Sequence, residues 1–293
     1  MQIVTDRWVD LSPKADDKLD IHLIPTVLNL GETTYSDESV TNPQQFYDAL
    51  METEALPTSQ LPAADELAAF YRELAAQDPE ILSIHVSSGI NPVVELAREA
   101  ARIAREANVT VVDTRAISLT QGWQVESAAW AVERGWPIGR IQSLLDRIRK
   151  ASRFICALST YKYRGHERGI ASVKSRLGSL LGLRPVISVA GSDGRFIERS
   201  QANSSSKAIA RTIDWVGRVH KAGSELRMQL GHTGESEELE TVRERLSAAY
   251  ACHWEPDCAL SAAVAAQIGP GAVAVAFAPW ESFSSLDLLE TPS

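Results

Sequence analysis

The sequence predicts an α/β protein: an N-terminal, mostly parallel, twisted sheet with flanking helices, followed by a C-terminal α+β domain. Three observations carry that expectation. Short β-branched runs alternate with helical patterns through the first half, at 2–5, 81–86 and 109–112. From Phe154 onward extended segments come in pairs, two of them joined by Gly191-Ser192-Asp193-Gly194, a hairpin signal. Finally, 293 residues with 44% apolar content sit more naturally as two domains than as one. A boundary near Ser152 gives domains of residues 1–151 and 152–293.

The first half reads in order as follows. Residues 2–5 form a strand running into Asp6, and Ser12-Pro13 opens a short helix. Residues 21–30, with Pro25 inside, predict an edge or irregular strand. A polar, turn-rich segment spans 31–41, and Asn42-Pro43 starts a helix to about Met51. Pro57 and Pro62 enclose a loop, Thr58-Ser59-Gln60-Leu61. An amphipathic helix follows from Ala63, with Leu67, Phe70, Tyr71 and Leu74 on one face.

Residues 80–98, EILSIHVSSGINPVVELAR, are the centre of this half. A buried strand at 81–86 meets Ser87-Ser88-Gly89, and Asn91-Pro92 then starts a helix as N-cap and first residue. Hydroxyls beside a helix N-terminus, with its unpaired N–H groups and positive dipole end, make a seat for an anion. The plain alternative is a βα turn that Ser87 and Ser88 merely cap and solvate. The strand at 109–112 ends in Asp113-Thr114, and helices follow at 118–133 and 138–150, separated by Gly135-Trp136-Pro137. In a parallel sheet, Asp6, Ser87, Ser88, Asp113 and Thr114 all fall at the carboxyl ends of strands, where such sheets bind ligands.

In the second half, a strand at 154–158 leads into the basic, aromatic STYKYRGHERG segment and a helix near 170–181. The hairpin strands span 185–190 and 195–199. Helices at 204–221 and 235–250 flank a strand at 225–230. Gln267-Ile268-Gly269-Pro270-Gly271 precedes a closing strand at 272–277.

Charge and motif content exclude several classes. A net charge of −9 and a pI near 5.3 argue against nucleic acid or anionic lipid surfaces as general partners. No apolar run reaches membrane-spanning length, and the MQIVTDRWVD start lacks a secretory pattern. Three cysteines, Cys156, Cys252 and Cys258, suit a reducing cytosol, so the expected location is cytoplasmic. Cys252, His253 and Cys258, with His232, match no zinc spacing, and Cys252-His253 adjacent on a helix end cannot easily share one ion, so no metal is expected. G-x-S-x-G, Walker and G-x-G-x-x-G motifs are absent, and His85 lies within an apolar strand as a core residue. Hence no catalytic residue and no cofactor is assigned. Lys162, Arg164, His166 and Arg168 cluster with Tyr161 and Tyr163, either as a solvated loop or as a face for an anionic ligand or acidic partner.

These pieces, in their order and spacing, resemble the DegV family of bacterial fatty-acid-binding proteins. The resemblance comprises IVTD with Asp10-Leu11, a proline-bearing second strand, Pro57-Thr58-Ser59-Gln60, Ile84-His85-Val86-Ser87-Ser88, Val111-Val112-Asp113-Thr114, Gly178-Ser179-Leu180-Leu181 with Arg184-Pro185, and Gly269-Pro270-Gly271. It implies one long-chain fatty acid in a tunnel between two domains. The carboxylate would be held by Thr58, Ser59 and Ser88, with Ser87 beside them and Arg168 and Gln267 near the head group. It also implies a carrier without catalysis of its own, and in some members a separate fatty acid kinase as partner. A tail of ~16 carbons would gain on the order of 10 kcal/mol from burial before ordering costs.

The sequence departs from the family at Asp6-Arg7-Trp8 (usually Asp-Ser-Thr) and at Ile90-Asn91-Pro92-Val93 (usually Leu-Ser-Gly-Thr). It departs again at Glu167-Arg168-Gly169, where the arginine is displaced by one, and at Gln267, which stands for histidine. Gln267 can hydrogen-bond but cannot carry a proton charge. The rival readings are an enzyme on this scaffold acting on a small carboxylate, with Asp6, Asp113 or His166 as acid or base, and an interaction protein whose tunnel is filled by Trp8.

Overall fold

A computed structural model describes residues 1–13, 18–35, 43–163, 182–234 and 237–286. The predicted helix near 170–181, the body of the helix opened by Ser12-Pro13, and Arg164, His166 and Arg168 lie outside the described residues.

Strand β1 (Gln2–Thr5) is central and buries Ile3, Val4 and Thr5. It pairs in parallel with β2 (Ile21–Leu23) on one side. The chain then turns at Ile24-Pro25-Thr26 into β3 (Val27–Leu30), so the proline splits the predicted 21–30 segment between two sheets. Gly31, at φ +60°, allows the tight turn into β4 (Thr33–Tyr35), a strand within a stretch expected to be turns. Helix α1 (Pro43–Glu52) follows. Thr58–Gln60 is then a strand, β5, and not a loop: it completes a three-stranded antiparallel sheet in the order β4-β3-β5. Its register sets Ser59 against Leu28 and Thr58 against Asn29.

Helix α2 (Ala64–Ala75) buries Leu67, Ala68, Tyr71 and Leu74. Strand β6 (Glu80–His85) pairs in parallel with β1, and after helix α3 (Val93–Ile103) strand β7 (Asn108–Asp113) pairs in parallel with β6. The first sheet is therefore parallel throughout, in the order β2-β1-β6-β7.

Helix α4 (Ser118–Glu133) is buried nearly all round and touches β1 and β6 on one side and two strands of the later sheet on the other. Gly122 makes this possible. A side chain there would stand 2.0 Å from the carbonyl oxygen of Asp10, so only glycine lets the 6–12 segment cross the helix. Helix α5 (Ile138–Ala151) packs beside it.

The second sheet is built from β8 (Arg153–Ala157), the hairpin β9 (Arg184–Val189) and β10 (Phe196–Ala202), then helix α6 (Ser205–Val219) and β11 (Glu225–His232). Helix α7 (Glu238–Ala249), short strands β12 (Ala251–Trp254) and β13 (Cys258–Ala259), helix α8 (Ala262–Ile268) and β14 (Val273–Pro279) complete it, before a 3₁₀ turn at Trp280–Leu286. The order is β10-β9-β8-β14-β11-β12, with β13 also on β11. Cys252-His253 is thus on a strand, not at a helix end.

Alternation along β14 divides the core. Val273, Val275 and Phe277 face α6 and α7, while Ala274, Ala276 and Ala278 join one continuous apolar cluster with Trp123, Ile3 and Leu82. Between α4 and β11, Arg227 lies over the rings of Trp123 and Phe283 and pairs with Glu126 at 3.5 Å and Glu255 at 3.0 Å.

Candidate functional site

The carboxyl ends of β1, β6 and β7 come together as the sequence predicts. Asp6, wholly buried, accepts from the N–H groups of Trp8 (3.1 Å) and Val86 (2.8 Å), from Gln121 Nε2 (3.1 Å), and faces His85 Nδ1 at 3.1 Å. His85 Nε2 lies 2.7 Å from Ser83 Oγ, which is 2.8 Å from the Tyr71 hydroxyl. Asp6, His85 and Ser83 have the order of a hydrolase triad, but all three are 0% exposed and Ser83 is held inside the sheet. Burial also pushes the Tyr71 phenol up to about 12. The group ties strands together and offers no nucleophile.

The Ser87-Ser88-Gly89 turn differs from expectation in one respect. Its N–H groups are not free. Ser87 donates to Ala116 O, Ser88 to Asp113 Oδ1, Gly89 to Ser87 Oγ, and Ile90 and Asn91 to Ser87 O. Helix α3 begins at Val93, with Pro92 as its cap and the Asn91 side chain accepting from Val93 N at 3.0 Å. The turn satisfies itself, because Pro92 supplies no N–H and Asn91 and Asp113 reach the remaining donors. What faces outward is the half-buried Ser88 hydroxyl, which donates to Asp113 Oδ2 at 2.6 Å.

Ser87 is buried beneath the tip of the β9–β10 hairpin. Gly194, at φ +70°, packs so closely that a Cβ there would stand 1.9 Å from Ser87 Oγ, and one on Gly89 would stand 2.5 Å from Asp193 O. Arg115 Nη1 donates to Ser192 O and Nε lies 3.7 Å from Asp113 Oδ2. Arg115 and Ser118 both have positive φ (50° and 59°), a strained corner that turns β7 into α4. A cavity of about 30 Å³ opens beside it, lined by Arg115, Gln124, Arg149, Ser152 and Phe154 among others.

Thr58 and Ser59 alternate on β5: Ser59 is half-buried on the Leu28 side and Thr58 is exposed on the other. Their small sheet follows in the chain from the carboxyl end of β2, the parallel neighbour of β1. Trp8 follows β1. It is fully buried, and its indole N–H has no partner among the described residues.

Gln267 is buried near the end of α8. The start of that helix is stitched to the segment after β1: Ser261 Oγ donates to Arg7 O and Ser261 N to Asp10 Oδ1. Asp10 also accepts from Ser118 Oγ at 2.6 Å, and burial raises its carboxyl to about 6 despite those bonds. Within the basic cluster, Lys162 is occupied by Thr53 O and Glu54, and Tyr163 is buried with its hydroxyl on Leu50 O. Asp10, Arg115 and Gly194 went unselected as site residues in the sequence. The positive-φ glycine of a GSDG hairpin was the available signal for the last.

A family model described as "Uncharacterised protein, DegV family" matches residues 1–280. The chain belongs to the DegV family. A DegV domain-containing protein of Deinococcus radiodurans is 29% identical over 280 residues, covering 94% of this chain and 98% of the relative. A solved structure described as fatty acid binding of a DegV family protein from Thermus thermophilus aligns with TM-score 0.82 and 25% identity, over 95% of this chain and 99% of that one. The crystal structure of DegV from Bacillus subtilis, described as a fatty acid binding protein, aligns with TM-score 0.81 and 24% identity, over 94% and 98% of the two chains. The mixed α/β DegV fold is thereby established. Among the described residues no helix is long and apolar enough to cross a membrane.

Proposed function

We propose that this chain binds a long-chain fatty acid in a tunnel between two domains, residues 1–151 and 152–293, and carries the acyl chain in the cytoplasm without catalysis of its own. The likeness to the Thermus thermophilus fatty-acid-binding protein, in fold and over nearly the full length of both chains, carries this reading. In it the carboxylate lies at the carboxyl edge of the parallel sheet, bound by the hydroxyls of Ser59 and Ser88, with Thr58 at the rim and Ser87 behind. The Trp8 indole N–H, just past the end of β1 and without a partner among the described residues, supports a further donor in this reading. A carboxylate leaving water needs several such donors. Arg168 and Gln267 complete the proposed head-group surroundings. The buried Asp6–His85–Ser83 chain, closed to substrate, favours a carrier over an enzyme.

Gln267 in place of the family histidine and the displaced Arg168 weigh against presentation to a separate fatty acid kinase. The decisive experiment is to purify the chain from a bacterial host, denature it and identify released lipid by mass spectrometry. About one acyl chain per protein is expected. A clean apo protein that also ignores added fatty acids rejects the reading. Phosphorylation of the bound acid by an added fatty acid kinase and ATP tests the partner separately.

A further inference from the structure

The outer face of the second sheet carries a second cluster that the fatty acid reading does not use. Antiparallel pairing sets Arg153 beside Phe277, on the same face as Ile155 and Val275. Phe277 forms an aromatic floor. The rings of Trp215 and His220, from α6 and its C-terminus, meet it edge-on at 5.6 and 5.7 Å. Arg199, from the bulge in β10, lies over Trp215 at 5.2 Å and donates from Nε to Ser188 Oγ at 2.6 Å. Three basic side chains from three elements therefore gather on one face, Arg153 and His220 half-buried and Arg199 exposed.

Their charge is not compensated within the protein. Among the described residues neither Arg153 nor Arg199 is in an ion pair with a carboxylate, and His220 Nε2 is buried without a partner. Glu198 precedes Arg199 but pairs with Ile187, whose side chain belongs to the opposite face; Asp214 is exposed on α6. The C-terminal dipole of α6 offers roughly half a negative charge against two full guanidinium charges. Burial, then mutual repulsion, lowers the affinity of Arg199 for its proton, and the same two causes act on His220. Arg153 spends Nη1 on the carbonyls of Lys150 and Ser152 and keeps the rest of its fork.

We propose that Arg153, Arg199 and His220 form an oxyanion site on this outer face that takes a phosphate group, carried by a soluble molecule or by a lipid head group. Three donors on one face suit the several acceptor oxygens of a phosphate, and one bound dianion would balance the two guanidiniums.

The test is a titration of the full chain with inorganic phosphate at constant ionic strength, followed by the imidazole proton resonances of His220 in NMR. A saturable shift of His220, with His22 and His253 unmoved, is expected. Arg153→Gln and Arg199→Gln should each weaken it at least tenfold, and loading with fatty acid should leave it unchanged. A linear response in the wild-type chain, or equal affinity in both variants, overturns the proposal, and the wild-type titration stands even if a variant folds poorly. Sedimentation with phosphatidylglycerol vesicles, lost in Arg199→Gln, assigns the phosphate to lipid. Phosphate binding without sedimentation assigns it to a soluble molecule.

Discussion

The hydroxyl of Ser88 donates to Asp113 Oδ2 at 2.6 Å, across the parallel pair β6–β7. A fatty carboxylate arriving at Ser88 must either turn that proton away from Asp113 or approach a second negative charge. Asp113→Asn removes the charge while keeping an acceptor. Binding of a long-chain fatty acid should tighten by roughly threefold to tenfold at neutral pH, as for a partly screened like-charge contact. Displacement of a fluorescent fatty acid would measure it, and weaker binding in the variant would place the head group elsewhere.

Alternation on β5 separates two neighbouring hydroxyls. Ser59→Ala and Ser88→Ala should each weaken fatty acid binding by roughly five- to tenfold, and Thr58→Ala by less than about twofold, since an exposed hydroxyl replaces little that water does not supply. Calorimetric titration of the three single variants decides it. A Thr58 effect equal to that of Ser59 would show that β5 turns its other face to the ligand.

Gly194→Ala should destabilise the chain by about 2–3 kcal/mol, because a Cβ meets Ser87 Oγ at a left-handed backbone position. Urea denaturation checks the size. Gly191→Ala, whose Cβ meets nothing within 4 Å, is the control and should be close to neutral.

The carboxyl of Asp10 holds its proton more tightly when folded (about 6) than its ordinary value of 3.8. Its contribution to stability is therefore full below about pH 4 and is lost as pH rises through 6, by at most about 3 kcal/mol. Asp10→Asn should flatten that part of the profile. Unfolding free energies of both chains at pH 4, 5, 6 and 7 would show it as a difference that grows across this window; parallel profiles would count against the assignment.

Much of the fold was legible because period and punctuation agreed. β-branched residues at 81–86 and 109–112 marked two strands, the first buried as expected and the second half-buried at the sheet edge, and Gly135-Trp136-Pro137 fixed the break between α4 and α5. β5 escaped because Thr-Ser-Gln between two prolines has no strand pattern of its own; its partner, β3, lies about thirty residues away. The Ser-Ser turn was legible as a site but not as a closed one. Its acceptor Asp113 is 25 residues distant and becomes a neighbour only through the register that pairs His85 with Asp113. The Arg153–Arg199–His220 cluster was invisible for the same reason: a bulge and an antiparallel register bring those positions to one face.

Helix α4, enclosed by both sheets, has a mechanical consequence. A jaw-like opening of the two halves would tear Trp123 from Gln229 and Glu126 from Arg227, leaving charges and indole N–H groups stranded in an apolar gap. The two sheets are therefore locked to one another through a single buried rod, and the spine of the molecule resists being parted along this seam.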